Sequence, residues 1–198
     1  MQLLFKERIE MNKKIKWNVK PLTLPTIIKN CPKCGNNKEF ESSNNFRVNA
    51  NKNNLDVWLI YQCKKCKATW NMDILSRVSP ESIDQETYNR FLANDLDLAI
   101  EYAFNIPIHS KNKVTLNYEN LQYEILGDNV DLNDNTILEI DCSFPLDIRI
   151  DKLLSEKLAI SRSQIKKLCK NNIITIDNIN EPWKAKLKNK VELYINSN

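Results

Sequence analysis

The stretch that decides the reading is CPKCGNNKEFESSNNFRVNANKNNLDVWLIYQCKKC, residues 31–66. It opens with Cys31-Pro32-Lys33-Cys34-Gly35 and closes with Cys63-Lys64-Lys65-Cys66, two CxxC pairs with 28 residues between Cys34 and Cys63. Two residues between thiols let a tight turn aim both sulfurs at one metal. Two such turns supply a tetrahedral four-thiolate site of the kind that holds zinc. Gly35 stands where such a knuckle commonly needs a backbone with positive φ. Lys67 stands at the matching place after the second pair, which predicts a less relaxed turn there.

The insertion exceeds the roughly 15–20 residues usual between such pairs, and its pattern explains the length. Phe46, Val48 and Ala50 alternate with Arg47, Asn49 and Asn51, the period of a half-buried strand. Asn51–Asn54 reads as a polar turn. Leu55–Gln62 is strongly β-prone, with Val57, Trp58, Leu59, Ile60 and Tyr61 in one run. Lys67–Ile74 returns as a third strand. The expectation is a zinc ribbon with an extended hairpin, Trp58 and Trp70 in its core, and Cys31, Cys34, Cys63 and Cys66 as ligands of a structural Zn2+. Four thiolates leave no open position for water. Disulfides are disfavoured where thiols stay reduced, and a redox CxxC expects a neighbouring βαβ pattern that is missing here. Lys33, Lys64, Lys65 and Lys67 would offset the charge of the cluster, and they could also touch phosphates.

The 198 residues contain two Gly, one His and six Cys. Two Gly cannot make a glycine-rich phosphate loop or a dinucleotide fingerprint. One His rules out zinc sites built on several imidazoles. Cys142 and Cys169 read as small buried apolar residues. No run of 18 apolar residues exists, so no membrane span is expected. Met1–Glu10 lacks the apolar core of a secretory signal. A cytoplasmic protein is expected.

The net charge of +4 hides three blocks. Residues 1–72 carry +9, residues 73–146 carry −10, and residues 147–198 carry +5. Such asymmetry suggests a polyanion-binding portion. In the acidic block, Ser79-Pro80 reads as a helix start. Tyr88, Phe91, Leu92, Leu96, Ala99, Ile100 and Ala103 follow at helical spacing, giving one helix or two broken near Asn94. Strands are expected at Val114–Tyr118, Tyr123–Leu126 and Thr136–Cys142. A calcium loop over Asp128, Asp131, Asp134 and Glu139 fails, because Val130 and Leu132 fall on ligand positions. His109 reads as a surface residue, and no catalytic constellation is visible.

From Pro145 the order is helix, helix, strand, strand. Ile150, Leu153, Leu154 and Leu158 form one apolar stripe. Ser161 with Gln164 makes a capping box for the second helix. On that helix Arg162, Lys166 and Lys170 recur every four residues, so they share a face with Lys167 beside them. Strands follow at Ile173–Ile176 and Lys190–Ile195. The strings Arg149-Ile150-Asp151-Lys152-Leu153-Leu154, Ser161-Arg162-Ser163-Gln164-Ile165, Ile173-Ile174-Thr175-Ile176-Asp177-Asn178 and Leu187-Lys188-Asn189-Lys190-Val191 resemble, in order, the RNA-binding domain named after ribosomal protein S-four. The resemblance covers about fifty residues. Asn172, Asn178 and Asn189 stand where that family often uses Gly, and Lys190 replaces its acidic residue.

The resemblance implies that the basic helix face docks on folded RNA backbone. By position it names Arg149, Lys152, Arg162, Lys166, Lys167 and Lys170, with Lys184 and Lys186 nearby. The hairpin would add a second RNA contact through Arg47 and Lys52, with Trp58 or Tyr61 available for stacking; the ribbon core is the rival place for these aromatics and the favoured one for Trp58. The wider arrangement is similar to an uncharacterised bacterial family, domain-of-unknown-function ten-sixty-two. That likeness rests on Trp17, the Phe46–Ala50 and Leu55–Tyr61 strands, and Phe91 through Phe104; it implies a start near Met11.

The sequence thus predicts an α+β chain in four consecutive parts. A disordered or extended start covers 1–14, a zinc-ribbon β-hairpin covers 15–78 and a small acidic α/β connector covers 79–144. An S-four-like helix-helix-strand-strand module covers 145–198. The expected function is non-catalytic binding of structured RNA, ribosomal or transfer, with the ribosome as a candidate partner. A protein–protein interaction role and an RNA-modifying or accessory role remain open.

Overall fold

The structure is a computed structural model that describes residues 13–51 and 53–197. Lys52 and the first twelve residues of the expected N-terminal start lie outside the described residues. Lys13 and Lys14, assigned to that start, already belong to a strand.

The strands in chain order begin with β1 (Lys13–Pro21), β2 (Thr26–Cys31), β3 (Gly35–Asn51), β4 (Asn54–Cys63) and β5 (Thr69–Val78). Helices α1 (Gln85–Leu92), α2 (Leu96–Ala103) and α3 (Ile106–Lys111) follow, then β6 (Thr115–Asn117), β7 (Tyr123–Leu126) and β8 (Thr136–Cys142). The last part holds β9 (Ile148–Arg149), α4 (Ile150–Leu158), α5 (Arg162–Lys170), β10 (Ile174–Thr175), β11 (Lys186–Leu187) and β12 (Lys190–Ile195). The class is α+β, as expected.

The chain clusters into two compact units rather than the consecutive parts expected at 15–78, 79–144 and 145–198. One is Pro21–Gln122; the other joins the residues up to Lys20 to those from Tyr123 onward.

The 21–122 unit is a five-stranded antiparallel sheet in the order β5-β4-β3-β2-β6. Alternation decides which face is buried. Leu55, Val57, Leu59, Tyr61 and Cys63 all point inward from β4. Ile27, Phe40, Phe46, Met72 and Ile74 join them. Trp70 packs against this cluster, as expected, but Trp58 does not: its position in the alternation places it on the opposite face.

The helices of the acidic block belong to this unit. Phe91, Leu98 and Ala99 enter the same core. Phe46 meets Phe91 edge-on at 5.0 Å between ring centroids, and Phe91 stacks on Tyr102 at 5.9 Å. Asp84, Asp95 and Asn105 cap α1, α2 and α3 by accepting from the backbone N–H of Thr87, Leu98 and Ile108. The break between α1 and α2 falls at Asn94, whose φ is +52°. Ser79-Pro80 starts only a short 3-10 turn, in which Ser79 makes no side-chain cap.

His109 is buried, not on the surface as expected. Its Nε2 donates to the Ala103 carbonyl at 2.9 Å. Its ring lies edge-on to Tyr61. A hydrogen bond to the last residue of α2 helps the polar ring enter the core.

The second unit is a mixed sheet in the order β10-β12-β8-β1-β7. β1 runs parallel to β8, with Trp17 opposite Ile140, and β12 pairs antiparallel with β8. Ile15, Trp17 and Val19 alternate into the interior of this unit. This non-local pairing is what removes Trp17 from the cysteine hairpin. The Trp17 indole donates to the Asp128 carbonyl at 2.8 Å. Gly127, at φ +130°, lies so close that a Cβ there would overlap the Lys16 carbonyl oxygen.

The expected bounds of β7, β8 and β12 match the structure, and β10 is shorter than expected. α4 buries Ile150, Leu153 and Leu154, and α5 buries Ile165 and Cys169. Asn172 and Asn178 are in the left-handed region, with φ of +58° and +59°. Asn178 closes the turn between Ile176 and Ile179.

Candidate functional site

The ends of three strands carry the cysteines. β2 ends on Cys31, Cys34 precedes β3, and β4 ends on Cys63 with Cys66 in the turn before β5. The backbone aligns the two knuckles. Cys31 faces Gly35 across the β2–β3 pair, and Phe40 faces Cys63 across β3–β4. The Lys67 N–H donates to the Cys63 carbonyl at 2.9 Å, closing the second turn. Gly35 takes φ +84° and Lys67 takes φ +59°, so both knuckles use a left-handed residue after the second cysteine. The strain expected from Lys67 is present.

The four sulfurs of Cys31, Cys34, Cys63 and Cys66 all lie within 4.8 Å of one another. Cys31 and Cys66 approach to 3.5 Å, well beyond a disulfide bond of about 2.05 Å. A metal with bonds of about 2.3 Å to four thiolates needs sulfurs about 3.8 Å apart. The donor set and spacing therefore fit a bound metal ion. Cys31 and Cys63 are buried and the other two half-buried.

Their ionisation points the same way. Burial opposes the Cys31 thiolate, but the backbone N–H groups of Lys33 and Cys34 and the thiols of Cys66 and Cys63 outweigh it, bringing Cys31 down to about 7. Cys34 is pushed up to about 12, first by its hydrogen bond with Cys66 and then by burial and the Cys31 charge. Such a cluster resists holding four negative charges unless a cation joins it.

Lys64 pairs with Glu39 at 3.0 Å and Lys67 with Glu41 at 2.8 Å. Those glutamates alternate along β3, a pairing that only the strand register reveals.

A second candidate region lies on α4 and α5. Ser161 and Gln164 form the expected capping box. Asp151 in the first turn of α4 is 4% exposed. Arg149 grips it through Nε at 3.1 Å and Nη2 at 2.8 Å. Arg162 reaches the same carboxylate, with Nη2 at 3.0 Å from each oxygen. One buried carboxylate thus fixes two guanidinium groups, each still half-exposed. In the sequence the only mark of this role for Asp151 is an Arg two residues before it and another eleven after.

The other expected cations divide in two. Lys152 lies 3.9 Å from Glu156 and over the Tyr123 ring. Lys184 pairs with Glu181, and Lys186 with Asp147, each at 2.7 Å. Lys166, Lys167 and Lys170 are exposed. Among the described residues no carboxylate pairs with them; Lys166 lies 5.8 Å from the Trp183 ring centroid. Cys169 is buried, and burial and the nearby Asp151 charge push it up to about 11. Cys142 is also buried, and burial raises it.

Arg47, of the expected hairpin contact, is exposed on β3; its partner Lys52 lies outside the described residues.

The fold and sites define a two-unit α+β protein with four cysteines close enough to hold a metal ion. It belongs to the family described as Protein of unknown function (DUF1062), which it matches over residues 48–180. No curated protein and no solved structure matches it. No helix among the described residues is long and apolar enough to cross a membrane.

Proposed function

We propose that this protein binds structured RNA, ribosomal or transfer, without catalysing a reaction on it, and that its cysteines hold a structural Zn2+ in the manner of a zinc ribbon. The observation that carries the RNA reading is the face of α5. Lys166, Lys167 and Lys170 stand there exposed with no carboxylate partner among the described residues, beside two arginines held by Asp151. A rigid cationic helix face releases counterions from phosphates on binding. The S-four-like reading of this module draws support from the order α4, α5, β10, β11, β12, in which β10 and β12 pair and β11 returns to β9. It also draws on left-handed Asn172 and Asn178, where the resembling module often has Gly.

The test is binding to total and ribosomal RNA across salt concentrations. If about four phosphates are neutralised, log K falls with log salt at a slope of roughly −3 to −4. Lys166→Glu with Lys170→Glu should abolish binding at moderate salt. These two are better probes than Arg162, whose reversal would also set a second negative charge against the buried Asp151 carboxylate. Absence of RNA binding at low salt would overturn the reading and leave a protein partner as the role of this face. Turnover of an RNA substrate would move it to the enzymes.

Four thiolates with reduced surroundings suit zinc in a cytoplasmic setting. Metal analysis after dialysis should find about one zinc per chain. Iron instead, or less than about half an equivalent with reactive thiols, would overturn the assignment.

A further inference from the structure

The face of the 21–122 sheet opposite its core carries a feature that the α5 face does not. Trp58 and Ile60 alternate with Val57, Leu59 and Tyr61, so they point away from the helices that pack around Phe46 and Phe91. Although β4 has a strand on each side, both residues stay half-exposed. Arg47 lies directly opposite Trp58 across the β3–β4 pair, its guanidinium 5.9 Å from the indole ring centroid.

The charges around this pair are uneven. The Asp56 carboxylate is engaged by the Arg77 backbone N–H at 2.8 Å. Asp73, opposite Trp58 on β5, is held by Lys111 at 2.7 Å and by Ser76. Among the described residues no carboxylate pairs with Arg47. An exposed cation with no carboxylate partner among the described residues therefore sits against a half-exposed aromatic ring, on a face that also carries the engaged Asp56 and Asp73 and the amides Asn49 and Asn71.

A ligand that satisfies both groups needs a flat, apolar face for the indole and an anion for the guanidinium. We infer that this face stacks an unpaired nucleotide of RNA, its base on Trp58 and its phosphate on Arg47. A duplex keeps its base faces within the stack, so the target is single-stranded. Recognition is tolerant of sequence, because every base offers a π-face. The inference rests on the proposed RNA reading for the choice of polymer, but it uses none of the α5 residues.

The test titrates the full-length protein with an eight-nucleotide oligouridine while following tryptophan emission. The oligonucleotide should quench part of the emission. Trp58→Leu should remove that quenching and weaken binding about tenfold, the scale of one stacked base. Arg47→Gln should weaken binding and lower the salt slope by about one. Both side chains face away from the core, and circular dichroism of each variant checks that the fold is intact.

The variant Lys166→Glu/Lys167→Glu/Lys170→Glu separates the two RNA contacts. Quenching retained in it, with binding to folded RNA lost, shows two independent sites and supports the inference. Quenching that survives Trp58→Leu overturns it. So does the absence of quenching in the parent protein while folded RNA still binds. Equal quenching by a neutral oligosaccharide overturns it as well and reassigns the surface to sugars.

Discussion

At the scale of single residues, the two glycines have unlike roles. Gly35 has open space around the position of a Cβ, so its demand is conformational only. Gly127 combines φ +130° with contact against the Lys16 carbonyl and Trp17. Gly35→Ala should therefore cost about 1 kcal/mol from left-handed strain alone. Gly127→Ala should cost about 3 kcal/mol, because backbone and a buried indole would have to move. Urea denaturation of the two variants measures the difference; equal losses would refute the distinction. His109 makes a second residue-scale prediction. Burial lowers its pKa, against the smaller opposing pull of the Ala103 and Tyr102 carbonyls. The unfolded chain, with an ordinary value near about 6.5, then takes up a proton that the folded protein refuses. Stability is complete above that value and falls with decreasing pH below it, at up to about 1.4 kcal/mol per pH unit, until the folded protein is protonated. His109→Gln keeps a donor near Ala103 and should flatten the denaturation midpoint between pH 6.5 and 5.5; an unchanged slope would assign the loss to other groups.

Among the elements, α5 and the end of α4 are governed by their terminal residues. α4 stops at Ala159, which takes φ +54° without a side chain able to ease it. α5 begins two residues later on the reciprocal Ser161–Gln164 cap. Ala159→Gly should stabilise the protein by about 1 kcal/mol, and Ser161→Ala should destabilise it by about 1 kcal/mol. Opposite shifts in melting temperature would confirm both. Elements were also what the sequence disclosed best. The period-two runs of Thr136–Cys142 and Lys190–Ile195 gave their strands to the residue, because half-buried strands print their burial directly in the sequence. The paired CxxC spacing likewise disclosed the cluster. What stayed hidden was relational. Trp17 and Ile140 are far apart in sequence, and nothing in either run says that they pair in parallel. Trp58 looked like core because an aromatic in a β-prone run fits either face, and only the register fixes which. Asp151 reads as an ordinary first-turn acid until Arg162 is seen beside it.

For the whole molecule, folding dissolves the charge blocks seen along the chain. The 21–122 unit carries 12 Lys/Arg against 11 Asp/Glu, and the remainder 17 against 14. The acidic helices offset the basic hairpin they pack against, so attraction to a polyanion must come from local faces. The two-unit division also predicts the reach of the metal. The cysteines join the ends of β2, β3 and β4, all within one unit. Chelation should therefore speed amide exchange along Cys31–Lys38 and Gln62–Thr69 while β8 and β12 stay protected; uniform loss of protection would contradict the division. The placement of β1 bears on how the chain is made. Its neighbour β8 begins more than a hundred residues later, and β12 comes later still. As the polypeptide leaves the ribosome, residues 21–122 can collapse on their own contacts while β1 stays unpaired. β1 thus waits for β7 and β8, its neighbours in the sheet, and until they emerge it is an apolar edge that a chaperone or a second nascent chain can claim.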